Sequence, residues 1–166
     1  MGIMQRKTRI TFGIEAAINF AVSGFLNGLC AWLLFGDAPV VPAGFWNLFI
    51  DTTITCFLVS VCTAFFSCAS ERRYRAQGMR VGLSAAGTRV LAALPQAAFP
   101  LGCCLFGMCL PVLALAFGAG FFLAGAHAVS PAQFIIFKVV WGGLYGAGVC
   151  VATLLRNLGV EHGEAR

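Results

Sequence analysis

The sequence is poor in charged residues. Only 10% of its 166 residues are Asp, Glu, Lys or Arg, whereas about a quarter of a typical soluble domain is charged. The apolar share is 60%, and the mean hydropathy is +0.89. A soluble protein of this size needs more polar side chains to cover its surface, so the composition argues against one. It favours a protein embedded in lipid.

Histidine is also scarce. The two histidines, His127 and His162, fall outside the long apolar runs. No histidine–cysteine ligand spacing, Ser-His-Asp combination or glycine-rich phosphate loop accompanies them. We therefore expect no catalytic residue, no metal and no haem or other cofactor, and an enzyme is the least favoured class of function.

The net charge of +5 is not arranged as in a nucleic-acid-binding protein. The basic residues stand in the gaps between apolar runs, not in a stripe interleaved with aromatic residues. A nucleic-acid partner is therefore not predicted. The partners that the sequence favours are the lipid bilayer, further copies of the chain and other membrane subunits.

Eight cysteines are present, seven of them well inside the apolar runs and Cys30 near the end of one. Buried cysteine behaves as a small hydrophobic residue that lets helices approach closely. The alternatives are a redox or a metal-binding role, and the absence of a paired ligand spacing disfavours both.

What the sequence has in abundance is long apolar runs, at 12–35, 45–69, 97–124 and 131–155. Each exceeds the roughly 20 residues that a helix needs to cross a hydrocarbon core of about 30 Å. A helix satisfies all its backbone hydrogen bonds within one segment, as lipid requires. The sequence predicts an all-α, polytopic membrane protein with one membrane domain, 1–166, and four transmembrane helices. The first run is too long for a cleaved signal peptide.

Positive charge indicates the topology. Ten of the eleven basic residues precede the first run, lie between the second and third, or follow the fourth. The outer connections, 36–44 and 125–130, contain none. By the positive-inside rule, loop 70–96 and both termini are predicted to be cytoplasmic, in a cell membrane of the bacterial inner-membrane type.

The two outer connections are short and rich in turn residues. Two prolines lie within 36–42, and Ser130 precedes Pro131 as an N-cap precedes the first residue of a helix. Short connections predict two antiparallel hairpins, helix 1 with helix 2 and helix 3 with helix 4. The segment from Gly36 to Phe45 also resembles that from Gly125 to Phe134, as a parallel tandem repeat or by chance.

The cytoplasmic loop carries apolar residues at helical spacing, namely Met79, Leu83, Ala86, Val90 and Leu94. One interpretation is an amphipathic helix that lies on anionic headgroups. The other is a linker that only sets the topology, which the glycines of the loop favour.

Three ionisable residues lie within the predicted spans: Glu15, Asp51 and Lys138. Lipid makes such groups costly, so each is a candidate functional residue. At 1.5 Å per residue, Asp51 and Lys138 lie about 9–10 Å below the outer surface and Asn27 about 12 Å below it. We predict that these three side chains meet in one polar layer. The alternatives for Asp51 and Lys138 are a structural ion pair, a lysine that reaches the headgroups alone, and a binding site or ion gate.

Polar residues continue along two helices. The stripe on helix 1 is Glu15, Asn19, Ser23 and Asn27, in i,i+4 steps. The seam on helix 2 is Asn47, Asp51 and Thr55, and then Thr52, Cys56, Ser60, Thr63 and Ser67. If the stripe and the seam face each other, they line a path towards the cytoplasm. The alternative is that they only hold helices together.

Near the cytoplasm, Glu15 is expected to pair with Arg156, Arg72 or Arg73, in preference to a proton-coupling role. Close helix packing is predicted at Gly24-x-x-x-Gly28 and Gly142-x-x-x-Gly146. Pro111 is expected to kink the third span.

Together these features favour a homo-oligomeric transporter or channel for a small solute or ion. Its candidate residues are Asp51, Lys138, Asn27, Asn19, Glu15 and Thr55. The alternative is a non-catalytic accessory or scaffold subunit of a larger membrane complex, which the small size and the small-residue motifs favour.

Overall fold

The structure, a computed structural model, describes residues 3–42, 44–79, 81–124 and 128–159, with side chains except at 3–7, 85, 114–124 and 128. The fold class is all-α, as predicted. The elements are α1 (Ile3–Phe35), β1 (Val41–Pro42), α2 (Phe45–Ala76), α3 (Ala85–Ala92), α4 (Ala98–Ala124), β2 (Ala128–Val129) and α5 (Pro131–Gly159). His127, His162 and the rest of the C-terminal tail lie outside the described residues.

The four predicted spans correspond to α1, α2, α4 and α5, and their outer ends fall at the predicted residues. The inner ends differ, because α1 begins at Ile3 and α2 continues to Ala76. An apolar run marks only the part of a helix that suits lipid. Beyond it, α2 continues with charged residues, among which Glu71 and Arg75 form an i,i+4 ion pair at 2.6 Å.

Three helical segments are long and apolar enough to cross a membrane: Thr8–Phe35, Phe45–Ala76 and Pro131–Gly159. A shorter apolar segment, Ala98–Leu113, belongs to α4. The α4 helix continues past Pro111 to Ala124, and the kink at Pro111 stays a prediction. By length and composition, the fold is compatible with a multi-pass membrane protein.

The distribution of polar and apolar side chains is the reverse of that in a soluble protein. Large apolar side chains such as Leu33, Phe66 and Leu144 are exposed, whereas Ser60 and Thr153 are completely buried. In water this arrangement would leave extensive apolar surface uncovered. It suits helices whose outer faces meet lipid and whose hydrogen-bonding groups meet one another.

The α5 helix lies at the centre of the packing. It packs against both α1 and α2, and α2 also packs against α4. The α1 and α2 helices make few contacts with each other. Neither predicted hairpin, helix 1 with helix 2 or helix 3 with helix 4, is closely packed among the described residues, because α1 packs mainly on α5 and α4 mainly on α2. A short connection keeps two helices near each other, but small-residue faces determine which pair packs closely.

Glycines allow α1 and α5 to pack closely, as predicted from the two small-residue motifs. A Cβ atom added at Gly24 would lie 2.8 Å from the carbonyl oxygen of Val139. Across the interface, the side chains of Asn27 and Ser23 occupy the space above Gly142 and Gly146. Each motif thus contacts the helix that carries the other.

The contact between α2 and α4 depends on one glycine in the same way. A Cβ atom at Gly102 would lie 2.8 Å from the Cα atom of Val61 and 3.0 Å from the carbonyl oxygen of Ser60. Next to it, Leu101 and Leu105 form a buried cluster with Val149 of α5. This cluster connects α4 to the central helix.

The two outer connections pair as short antiparallel strands, Val41 with Val129 and Pro42 with Ala128. Beside them, the rings of Phe35 and Phe134 meet edge to face, with centroids 5.3 Å apart. In a tandem repeat, α1 would correspond to α4 and α2 to α5. The contact of α1 with α5 would then correspond to the contact of α4 with α2. This correspondence favours the tandem repeat, although Gly125 of the second copy lies outside the described residues.

The loop between α2 and α4 is anchored to the C-terminal end of α5. The Val81 amide donates to the Leu158 carbonyl at 3.1 Å, and Arg156 donates to the Leu94 carbonyl from Nε at 3.3 Å and from Nη2 at 3.2 Å. The predicted helical region is present only as the eight-residue α3, capped by Ser84. Within the predicted apolar face, Met79 is buried and Val90 is exposed. The loop is thus docked over part of its length.

Candidate functional site

A lysine and an aspartate from two helices form the centre of the candidate site. The Nζ atom of Lys138 on α5 lies 2.6 Å from Oδ2 of Asp51 and 2.7 Å from Oγ1 of Thr55, both on α2. Asp51 and Thr55 are one helical turn apart and therefore face α5 together. The structure thus brings together three of the six residues selected from the sequence.

The two charged side chains differ in exposure. The Lys138 side chain is 4% exposed, whereas that of Asp51 is 37% exposed. The Lys138 ammonium also lies 6.0 Å from the centroid of the Phe134 ring, a cation–π contact. Lys138 therefore does not reach for the headgroups alone, and that alternative is wrong. Its charge is balanced inside the protein by a carboxylate that stays accessible.

The accessible side of Asp51 faces an open cleft of about 420 Å³ at the outer end of the helices. The cleft is lined by Phe35, Val41, Pro42, Asn47, Leu48, Ile50, Asp51, Ile54 and Phe134. Of these side chains, only Asp51 and Asn47 are polar. The cleft thus combines one carboxylate and one amide with an apolar wall, as small-molecule sites commonly do.

Asn27 is not part of this centre. Its side-chain amide donates to the Ser23 carbonyl at 2.7 Å and packs over Gly142. The prediction that Asn27 meets Asp51 and Lys138 in one layer is therefore wrong. Depth follows from the rise per residue, but the direction in which a side chain points depends on the helix that its face packs against.

The rest of the α1 stripe also faces α5. The Asn19 amide donates to the Glu15 carbonyl at 3.0 Å and to Sγ of Cys150 at 3.2 Å, and Ser23 contacts Gly146. The α1 helix makes few contacts with α2, and a path lined jointly by the stripe and the α2 seam stays a prediction. The stripe acts as interhelical glue.

The part of the α2 seam from Thr52 onwards is largely buried, although Asn47 and Asp51 are accessible. Its fully buried members include Thr52, Cys56 and Ser60. The Ser60 hydroxyl lies 2.7 Å from that of Tyr145 on α5. Sequence reasoning missed Tyr145, although its position, seven residues after Lys138, places both on one face of α5. Past Asp51 along α2, direct contacts with the neighbouring helices therefore close the seam.

Glu15 accepts a hydrogen bond from the Tyr74 hydroxyl near the inner end of the helices. The expected pairing of Glu15 with Arg156, Arg72 or Arg73 is not among the ion pairs of the described residues, and Arg156 donates to the Leu94 carbonyl instead. Tyr74 lies beyond the predicted end of the second span. Its role depends on the continuation of α2 to Ala76, past the apolar run, which hydropathy does not indicate.

Over the ranges that the structure describes, no group of three or more His, Cys, Asp or Glu side chains is placed to hold a metal ion. The eight cysteines are free. Two of them accept hydrogen bonds from amides, Cys150 from Asn19 and Cys68 from Asn157 at 3.4 Å. These cysteines belong to the polar contacts between helices.

Comparisons of the chain with known protein families, with curated proteins and with solved structures found no match.

Proposed function

We propose that α1, α2, α4 and α5 each cross the membrane, with both termini in the cytoplasm of a cell with a bacterial-type inner membrane. The α4 helix has 27 residues, which at 1.5 Å per residue is about 40 Å and enough to span the hydrocarbon core. An even number of spans also agrees with the basic residues, which avoid both outer connections.

Reporter fusions test this topology. We expect green fluorescent protein to fluoresce and alkaline phosphatase to be inactive when either is fused to the N-terminus or to the C-terminus, because neither end is exported. Alkaline phosphatase inserted after Asp37 should be active. Phosphatase activity at one terminus alone would mean an odd number of spans and would contradict the proposal.

We propose further that the protein is a small transporter or channel for a small solute or ion, with Asp51 as the group that binds it. The observation that supports this is the exposure of the Asp51 carboxylate to the outer cleft while its Oδ2 atom is held by a buried ammonium. An ion pair that only joined two helices would be sealed by apolar side chains, since contact with lipid is costly.

The proposed site comprises Asp51, Lys138 and Thr55. Asn27, Asn19 and Glu15 are left out, because Asn27 packs over Gly142 of α5, Asn19 donates to Cys150 of α5, and Glu15 accepts from Tyr74 of α2. In the described part of the chain, the seam below Asp51 is closed by contacts such as Ser60 with Tyr145. A path across the membrane therefore needs helices to move or several copies to assemble, so we propose a homo-oligomer.

Flux into proteoliposomes tests this function. Wild-type protein should admit at least one of sodium, rubidium and tetramethylammonium faster than liposomes without protein. Asp51→Asn should lower that flux by roughly tenfold to a hundredfold, the effect of losing a bond to a charged group. Lys138→Met should lower the flux as well. Without the Lys138 ammonium to compete for the Asp51 carboxylate, a bound cation dissociates slowly.

The matched control is Asp37→Asn, which removes an outer carboxylate that does not line the cleft. Its flux should equal that of the wild type. Wild-type flux in both site variants would exclude Asp51 and Lys138 as the site.

The alternative function, an accessory subunit, is favoured by the closed seam. It predicts that the purified chain admits none of the three ions and co-purifies with another protein in mild detergent.

A further inference from the structure

We propose that the cleft at Asp51 takes an organic cation with an apolar body, so that the substrate class is a hydrophobic ammonium or phosphonium compound. This inference rests on the proposed function and specifies the substrate of the same site.

The charge of the cleft selects a cation. Asp51 is the only charged side chain among the lining residues, and Asn47 is the only other polar one. Lys138 is buried behind Asp51 and does not line the cleft. An entering anion would therefore meet a carboxylate, whereas a cation could pair with it.

The wall of the cleft selects an apolar body. The rings of Phe35 and Phe134, the side chains of Leu48 and Ile50, and that of Ile54 surround the carboxylate. An alkali ion gains nothing from such a wall and would lose its hydration shell there. An organic cation buries apolar surface against the wall, and the volume of about 420 Å³ is that of a small-molecule site.

Lys138 competes with the ligand for the same carboxylate. Its ammonium lies 2.6 Å from Oδ2 of Asp51, so a bound cation shares the aspartate and meets a like charge nearby. Removing the lysine charge should therefore strengthen cation binding. At a separation of a few ångströms in a partly hydrated site, we expect a gain of about tenfold or more.

Equilibrium binding to the full-length protein in lipid nanodiscs tests the proposal. The probe is radiolabelled tetraphenylphosphonium, and the control ligand is tetraphenylborate, an anion of the same shape. Empty nanodiscs correct for partition into lipid. We expect saturable binding of the cation only, a loss of about tenfold or more in Asp51→Asn, and a gain of about tenfold or more in Lys138→Met. Asp37→Asn should bind as the wild type does.

Lys138→Arg is the second variant, for the case that Lys138→Met does not fold. It keeps the positive charge that competes with the ligand. It should bind the cation within a few fold of the wild type. Equal binding of the two tetraphenyl ions, unchanged binding in Asp51→Asn, or weaker binding in a folded Lys138→Met would overturn the proposal. Asp51-dependent flux of sodium or rubidium without phosphonium binding would exclude only the substrate class. Phosphonium binding without flux of any cation would instead remove the transport function.

Discussion

Replacing Gly24 with alanine is expected to lower the free energy of unfolding by about 1–3 kcal/mol, because it forces α1 away from α5. The added methyl group would lie 2.8 Å from the backbone carbonyl of Val139, and a backbone atom cannot rotate aside as a side chain can. The change is measured by denaturant titration of the purified protein in mild detergent, with helicity as the signal.

The control is Gly13→Ala in the same helix, where an added Cβ atom meets nothing within 4 Å. It should be neutral or slightly stabilising, since alanine favours helix more than glycine does. A second pair tests the contact between α2 and α4: Gly102→Ala should destabilise, and Gly107→Ala, which has no neighbour within 4 Å, should not. Equal stability of Gly24→Ala and Gly13→Ala would show that close approach of α1 and α5 does not hold the fold together.

Replacing Arg156 with methionine is expected to release the segment 81–97 from α5. The arginine is 2% exposed, and its two hydrogen bonds to the Leu94 carbonyl hold the end of that segment. Hydrogen bonds from a charged group are worth about 1.5–3 kcal/mol, so local opening should become roughly 10- to 100-fold more frequent. Limited proteolysis by proteinase K, with the fragments identified by mass spectrometry, should show faster cleavage by that factor.

Arg89→Met is the matched control, because Arg89 is an exposed arginine of the same segment, in α3. Its cleavage rate should match that of the wild type. Cleavage of Arg156→Met at the wild-type rate would mean that other contacts, such as that between Val81 and Leu158, hold the segment without the arginine.

The sequence predicted the outer ends of the four long helices because prolines and a sharp change in hydropathy coincide there. It did not predict the inner ends. At those ends the helices continue past the apolar runs, and residues such as Glu71 and Arg75 stabilise helix in water. Hydropathy alone does not show where such a helix ends.

The ion pair was predictable because depth follows from counting residues, and one acid and one base lie at the same depth. The place of Asn27 was not predictable in this way. It depends on which helix packs against α1, and the glycines of α5 allow that helix to approach α1 closely. Tyr145 and Tyr74 were missed because a single tyrosine in a membrane helix gives no signal until its partner helix is known.

The paired strands of the two outer connections have a mechanical consequence. Val41 and Val129 tie the α1–α2 connection to the α4–α5 connection beside the cleft. If α1 and α2 rotate relative to α4 and α5, the paired strands place the pivot at their own end of the helices. The largest displacements then occur at the opposite end, where the docked segment 81–97 lies.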